Sequence, residues 1–178
     1  MPLTTNTIFK GLQIAAWIIF IGLAIEAGGL IINLILSVAR PDLAGDLYES
    51  LDLRLLHSQS KWAFYSMFSL VISVAVLKAN VFFVVINLIQ KLDLKRPFSS
   101  FVSARILQIS YYTFSVGMVS HIAKQSSRHL TKRGFEIDQL SEFWVDSQAY
   151  MLMAGVIYLI AFIFKKGLEI QEENDLTV

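Results

Sequence analysis

The sequence predicts an all-α, polytopic membrane protein: a four-transmembrane-helix bundle with a short amphipathic helix between spans one and two and a projecting hairpin between spans three and four. Three observations carry that prediction. Of the 178 residues, 55% are hydrophobic and only 16% charged, whereas a soluble domain has about 45–50% and 25%. The mean hydropathy is +0.58. Apolar residues gather into runs longer than the roughly 18 that flag a membrane-spanning helix. These runs place spans at about 12–39, 62–89, 98–122 and 143–164, with a tail over 165–178. Four such spans leave no chain for a separate soluble domain, so residues 1–178 read as a single transmembrane domain.

Span one runs from Leu12 to Ala39 with Glu26 as its one charge. It is about twice the length of a secretory signal core, so an uncleaved first helix is expected. Arg40-Pro41 stops it, because proline lacks an amide hydrogen and restricts the residue before it. In the wet stretch that follows, Leu43, Leu47, Leu51 and Leu55 recur every four residues while Asp42, Asp46, Glu49 and Asp52 fall on other faces. That is the spacing of an amphipathic helix lying at the surface.

Span two begins near Trp62, an interfacial type of residue, and is interrupted by Lys78, Asn80 and Asn87. A basic turn with Lys91, Lys95, Arg96 and Pro97 leads into span three, where Arg105 lies close enough to the start to snorkel. Nothing from Lys124 to Arg133 breaks a helix until Gly134, so span three projects about 15 Å past the bilayer at 1.5 Å per residue. On the return arm the apolar stretch Ala149 to Phe164 is short, and an upstream start near Asp138 supplies the missing length. Lys165 and Lys166 end span four, and Glu169, Glu172, Glu173 and Asp175 make the tail acidic.

Composition also excludes function classes. A net charge of +1 with no Lys/Arg stripe leaves no footprint for direct nucleic-acid binding. With no cysteine there are no disulfides, zinc thiolates or thiol nucleophiles. His121 and His129 stand among Lys124 and Arg128, a poor setting for a metal, and read as solvated surface residues. Ser126, Ser127 and His129 lack a nucleophile elbow and a placed acid. No catalytic, cofactor or metal residues are therefore assigned, and a noncatalytic protein is expected. The stripe Tyr111, Tyr112 and Phe114 is packing or lipid-facing surface.

Orientation rests on Lys and Arg near the span ends, and the two sides carry equal numbers. Density favours the turn between spans two and three as the inner side, since the opposite segments are longer and diluted with acidic residues.

The run from Phe164-Lys165-Lys166-Gly167 through Glu172-Glu173-Asn174-Asp175 to Val178 resembles the C-terminus of a bacterial family known as domain of unknown function 2975. The turn Pro97-Phe98-Ser99 followed by Arg105-Ile106 is similar as well, and the four-span layout extends the resemblance over the whole chain. The resemblance implies both termini on the cytoplasmic side of the bacterial inner membrane. It further implies a soluble partner, a small helix-turn-helix regulator, and it brings no catalytic residues.

Two constellations are candidates for function. Glu26 in span one and Lys78 in span two are each about 20–24 Å from the same membrane face by helix rise. An isolated charge at the bilayer centre costs roughly 2.5–3.5 kcal/mol, so the two are expected to form an intramembrane ion pair, helped by Asn80 or Asn33. Its functional reading is an ion or proton pathway in a small transporter or channel component; its plain reading is a device that holds two spans in register. Ala24 and Gly28 suit close helix packing through a small-xxx-small face. The second constellation is a cytoplasmic partner surface of Lys95, Arg96, Phe98, Arg105, Glu169, Glu172, Glu173 and Asp175, a basic turn beside an acidic tail.

Overall fold

The structure is a computed structural model that describes residues 2–39, 54–93, 97–135 and 137–175. All regular structure among them is helical: α1 over Pro2–Ala39, α2 over Arg54–Gln59, α3 over Lys61–Lys91, α4 over Ser100–Lys132, a 3-10 helix over Asp138–Phe143, and α5 over Ser147–Asp175. Of the leucine repeat expected to form a surface helix, Leu43, Leu47 and Leu51 lie outside the described residues. The described part of that connection is α2, which buries Leu56 completely.

Three of the long helices are long and apolar enough to cross a membrane: Thr7–Ala39, Lys61–Lys91 and Ser147–Asn174. Their environment matters as much as their composition, because only 17% of the most apolar stretch of α1, and of α5, is buried by the protein itself. Side chains such as Ile25, Leu152 and Ile163 are more than half exposed. Water would not tolerate apolar faces of that extent on a monomer, and hydrocarbon does. The exposed indole of Trp62 stands at the first turn of α3, where a bilayer interface would meet it. The fourth long helix, α4, has 33 residues but carries Ser103, Ser110, Thr113 and Ser120 along its length and is not among these apolar spans.

Each long helix packs on the next: α1 on α3, α3 on α4, α4 on α5. Among the described residues no comparable packing joins α1 to α4 or α5, so the helices pack in series, each on the next. The α4–α5 contact is a seam of small residues. Ser103 donates its hydroxyl to the Ala161 carbonyl at 3.3 Å, Ser110 donates to the Ala154 carbonyl at 2.9 Å, and Gly117 sits against Ser147, whose carbonyl oxygen a Cβ would meet at 3.0 Å. On both helices the contacts recur every seven residues and run in opposite directions, so the pair is antiparallel and in register over three layers. Small side chains let the backbones approach, and the hydroxyls then reach carbonyl oxygens across the gap.

This finding relocates the small-residue face. A Cβ added at Gly28 meets nothing within 4 Å and Ala24 is exposed, so the Ala24–Gly28 stripe makes no close packing among the described residues. The close-packed glycine is Gly117.

The expected projecting hairpin differs in two ways. Helix α4 does continue to Lys132 and ends at Gly134, whose φ of 88° only glycine adopts without cost. Phe135 N–H reaches the Leu130 carbonyl and Gly134 N–H the Thr131 carbonyl, a Schellman stop. The tip then folds back. Ile137, Leu140 and Trp144 pack into one apolar cluster with Leu56, Phe64, Met67, Phe68 and Ala123, so this end is a small core built on the first turns of α3. Nor does α5 begin upstream near Asp138: that segment is the 3-10 helix, and Asp146 starts the α-helix by accepting from the Gln148 and Ala149 amides at 3.1 and 3.2 Å. At its other end α5 runs on to Asp175, through Lys165, Lys166 and the acidic residues of the tail.

Candidate functional site

Two regions gather the residues that the sequence singles out. The first lies among the long helices. Helix α3 starts at Ser60, which accepts from the Ala63 amide, and its buried face, Phe64 to Ala75, packs against the second half of α1 and of α4. Lys78 lies just beyond that packed face. The rings of Phe20 and Phe83 meet at 5.9 Å and set the register of α1 against α3. Glu26 lies six residues beyond Phe20 and Lys78 five before Phe83, which puts the two within about 2 Å of one depth at 1.5 Å per residue.

Equal depth does not make a bond. No ion pair within 4 Å joins Glu26 to Lys78 among the described residues. Neither asparagine bridges them: Asn80 donates to the Val76 carbonyl of its own helix at 2.9 Å, and the buried Asn33 accepts from Ser37. Lys78 instead lines a cavity of about 430 Å³ to which all four long helices contribute, including Leu23 from α1, Phe82 from α3, Thr113 from α4, and Tyr150 and Ile157 from α5. Thr113 is 1% exposed, and its hydroxyl has no hydrogen-bond partner. Glu26 is not part of the wall. It lies one turn along α1 from Leu23, on the same stripe as Ile19 and Leu23, which are.

The second region is the end of the molecule where α3 turns into α4. Ser99 caps α4 by accepting from the Val102 amide at 3.3 Å, and the residue before it, Phe98, leaves the helix and packs on α5. Its ring lies 5.2 Å from that of Phe164 and so close to Gly167 that a Cβ there would meet a ring carbon at 2.8 Å. Phe98 is therefore in contact with the start of the tail. Phe101 is flanked by two cations, Lys91 at 5.8 Å and Arg105 at 5.3 Å from the ring centroid, and Arg105 also donates to Gln108 at 2.6 Å. Farther along α5, Lys166 pairs with Glu169 at 2.6 Å, while Glu172 and Glu173 are exposed. Lys95 and Arg96 lie outside the described residues, as does the side chain of Asp175.

Comparison with family models, curated proteins and solved structures finds no match to this chain.

At the opposite end of α4, His121, Lys124 and Arg128 share a polar hollow with Asp146 and Gln148. Among the described residues no three His, Asp or Glu side chains come together as a metal-binding group. Sequence reasoning missed both the cavity and the α4–α5 seam. The seam had a signal in the seven-residue spacing of Ser103, Ser110 and Gly117; the cavity had none, because its wall is assembled from four separate helices.

Proposed function

We infer that this chain is a noncatalytic, four-span protein of a bacterial inner membrane, with both termini cytoplasmic, and that its cytoplasmic face docks a small soluble helix-turn-helix regulator. The fourth span is α4. Its seam with α5 runs in register from Ser103 to Gly117, fourteen residues or about 21 Å of helix, so α4 accompanies α5 through the depth that α5 crosses. Two of its hydroxyls suit that setting, since Ser103 and Ser110 are satisfied by α5 carbonyls. Four crossings return the chain to the side on which it began. Lys and Arg concentrated between α3 and α4 favour that side as the cytoplasm.

The observation that carries the docking reading is Phe98 seated on Gly167 and Phe164, which brings the end of the turn against the start of the tail. The end of α5 presents Glu169, Glu172 and Glu173. A helix-turn-helix protein carries a basic surface for phosphates, and an acidic helix end complements it. The resemblance to the domain of unknown function 2975 family supplies the kind of partner.

The test is co-purification of the candidate regulator with the full chain from gently solubilised membranes. Retention that is lost when Glu169 to Val178 are removed supports the reading; no retention by the full chain contradicts it. A second reading, a small transporter or channel component that uses Glu26 and Lys78, draws on the position of Lys78 in the wall of the cavity. It requires that flux into vesicles fall when either charge is neutralised while the amount of protein is unchanged.

A further inference from the structure

We propose that the cavity between the four long helices is a binding site for a single-chain anionic amphiphile, a long-chain carboxylate whose head meets Lys78 and whose hydrocarbon lies along the apolar walls. The inference needs the membrane setting but not the docking of a regulator.

The wall offers a cation in want of a partner. Among the described residues Lys78 has the only charged side chain of the lining, and it has no ion pair. No carboxylate among the described residues lines the cavity, so an acceptor there comes from the occupant. Because an ammonium ion in hydrocarbon is stabilised by an opposite charge, that acceptor is best an anion.

The remaining wall is aliphatic and aromatic, with Leu23, Phe82, Tyr150 and Ile157 among its residues. It suits an occupant that is hydrocarbon apart from its head. The volume of about 430 Å³ lies within the roughly 300–1,000 Å³ typical of small-molecule sites. Helices α1 and α5, which both contribute to the lining, do not pack along each other among the described residues, so a chain has a lateral way in from the lipid.

Depth decides between a carboxylate and a phospholipid headgroup. Lys78 is thirteen residues from the end of α3 at Lys91 and seventeen from its start at Lys61, about 20 and 25 Å at 1.5 Å per residue. A phosphodiester is permanently charged and stays at the interface, out of reach of a side chain at that level. A carboxylic acid enters hydrocarbon in its neutral form and so reaches the middle of the span. Within the chain the competing anion is Glu26, one turn from Leu23 on the stripe that lines the cavity.

The experiment uses the full chain in nanodiscs of phosphatidylcholine, with spin-labelled stearic acid and its methyl ester as probes. The site predicts saturable immobilisation of the acid at one per chain, at least tenfold weaker binding of the ester, and loss of that preference in Lys78→Met. Equal binding of acid and ester by the wild-type chain overturns the proposal without recourse to any variant, as does unchanged acid binding by Lys78→Met. Displacement of the acid by phosphatidylglycerol at equal mole fraction would reassign the site to lipid headgroups and overturn it too.

Discussion

Ser110 and Ala154 are joined across the α4–α5 interface by a hydroxyl-to-carbonyl hydrogen bond of 2.9 Å. One heptad toward the end of α4, Gly117 meets Ser147; one heptad toward its start, Ser103 meets Ala161. A helix too polar to count as a span by composition is thereby matched, layer for layer, to one that is apolar enough.

Gly117→Ala places a methyl group 3.0 Å from the Ser147 carbonyl oxygen and 3.2 Å from the Met151 amide nitrogen, both backbone atoms that cannot swing away. Overpacking of this kind costs about 1–3 kcal/mol. Unfolding of the purified protein in mixed micelles should show that loss. Gly28→Ala, whose new methyl meets nothing within 4 Å, should be neutral or slightly stabilising in the same assay.

Ser110→Ala removes a hydrogen bond but no packing volume of note. Interhelical hydrogen bonds in membranes average about 0.6 kcal/mol, so the same unfolding measurement should register a loss of that order and no more. Ser103→Ala, with its longer 3.3 Å bond, should lose less.

Glu26 and Lys78 share a depth without sharing a bond. A double-mutant cycle of Glu26→Gln and Lys78→Met should therefore be additive within about 0.5 kcal/mol. A coupling several times larger would mean that the pair forms in the membrane.

Phe98 rests on Gly167, and a methyl group at residue 167 would meet its ring at 2.8 Å. Gly167→Ala should dislodge the ring and raise amide exchange over residues 98–101, while exchange in the middle of α4 stays as it was. Unaltered exchange in the turn would show that Phe98 does not hold it.

Much of this architecture was legible in the chain. Apolar runs mark α1, α3 and α5 because lipid demands length and hydrophobicity of any helix that faces it, and Gly134 marks the end of α4 because no other residue takes its backbone angle at so little cost. Charge positions told less. Glu26 and Lys78 could be assigned a common depth from helix rise, but whether their side chains meet depends on how α1 is rotated against α3, which no spacing within one helix records. Ala24 and Gly28 made a plausible packing stripe that has no close packing among the described residues, while Ser103, Ser110 and Gly117 hid an interface among residues that lower the hydropathy of α4. Its polarity and its burial have one cause: a helix flanked on both sides by other helices needs hydroxyls and small residues more than it needs grease. The start of α5 was misplaced for a local reason, since Asp146 caps the helix more effectively than anything near Asp138.

The central claim is that α4 crosses the membrane together with α1, α3 and α5, and because the chain has no cysteine it is tested most directly by single cysteines labelled with an impermeant thiol reagent in intact cells and in inverted vesicles. Thr4→Cys, Gln90→Cys and Glu172→Cys are predicted to label from the cytoplasmic side, and Lys132→Cys from the other. Labelling of Lys132→Cys from the same side as Gln90→Cys would contradict the account.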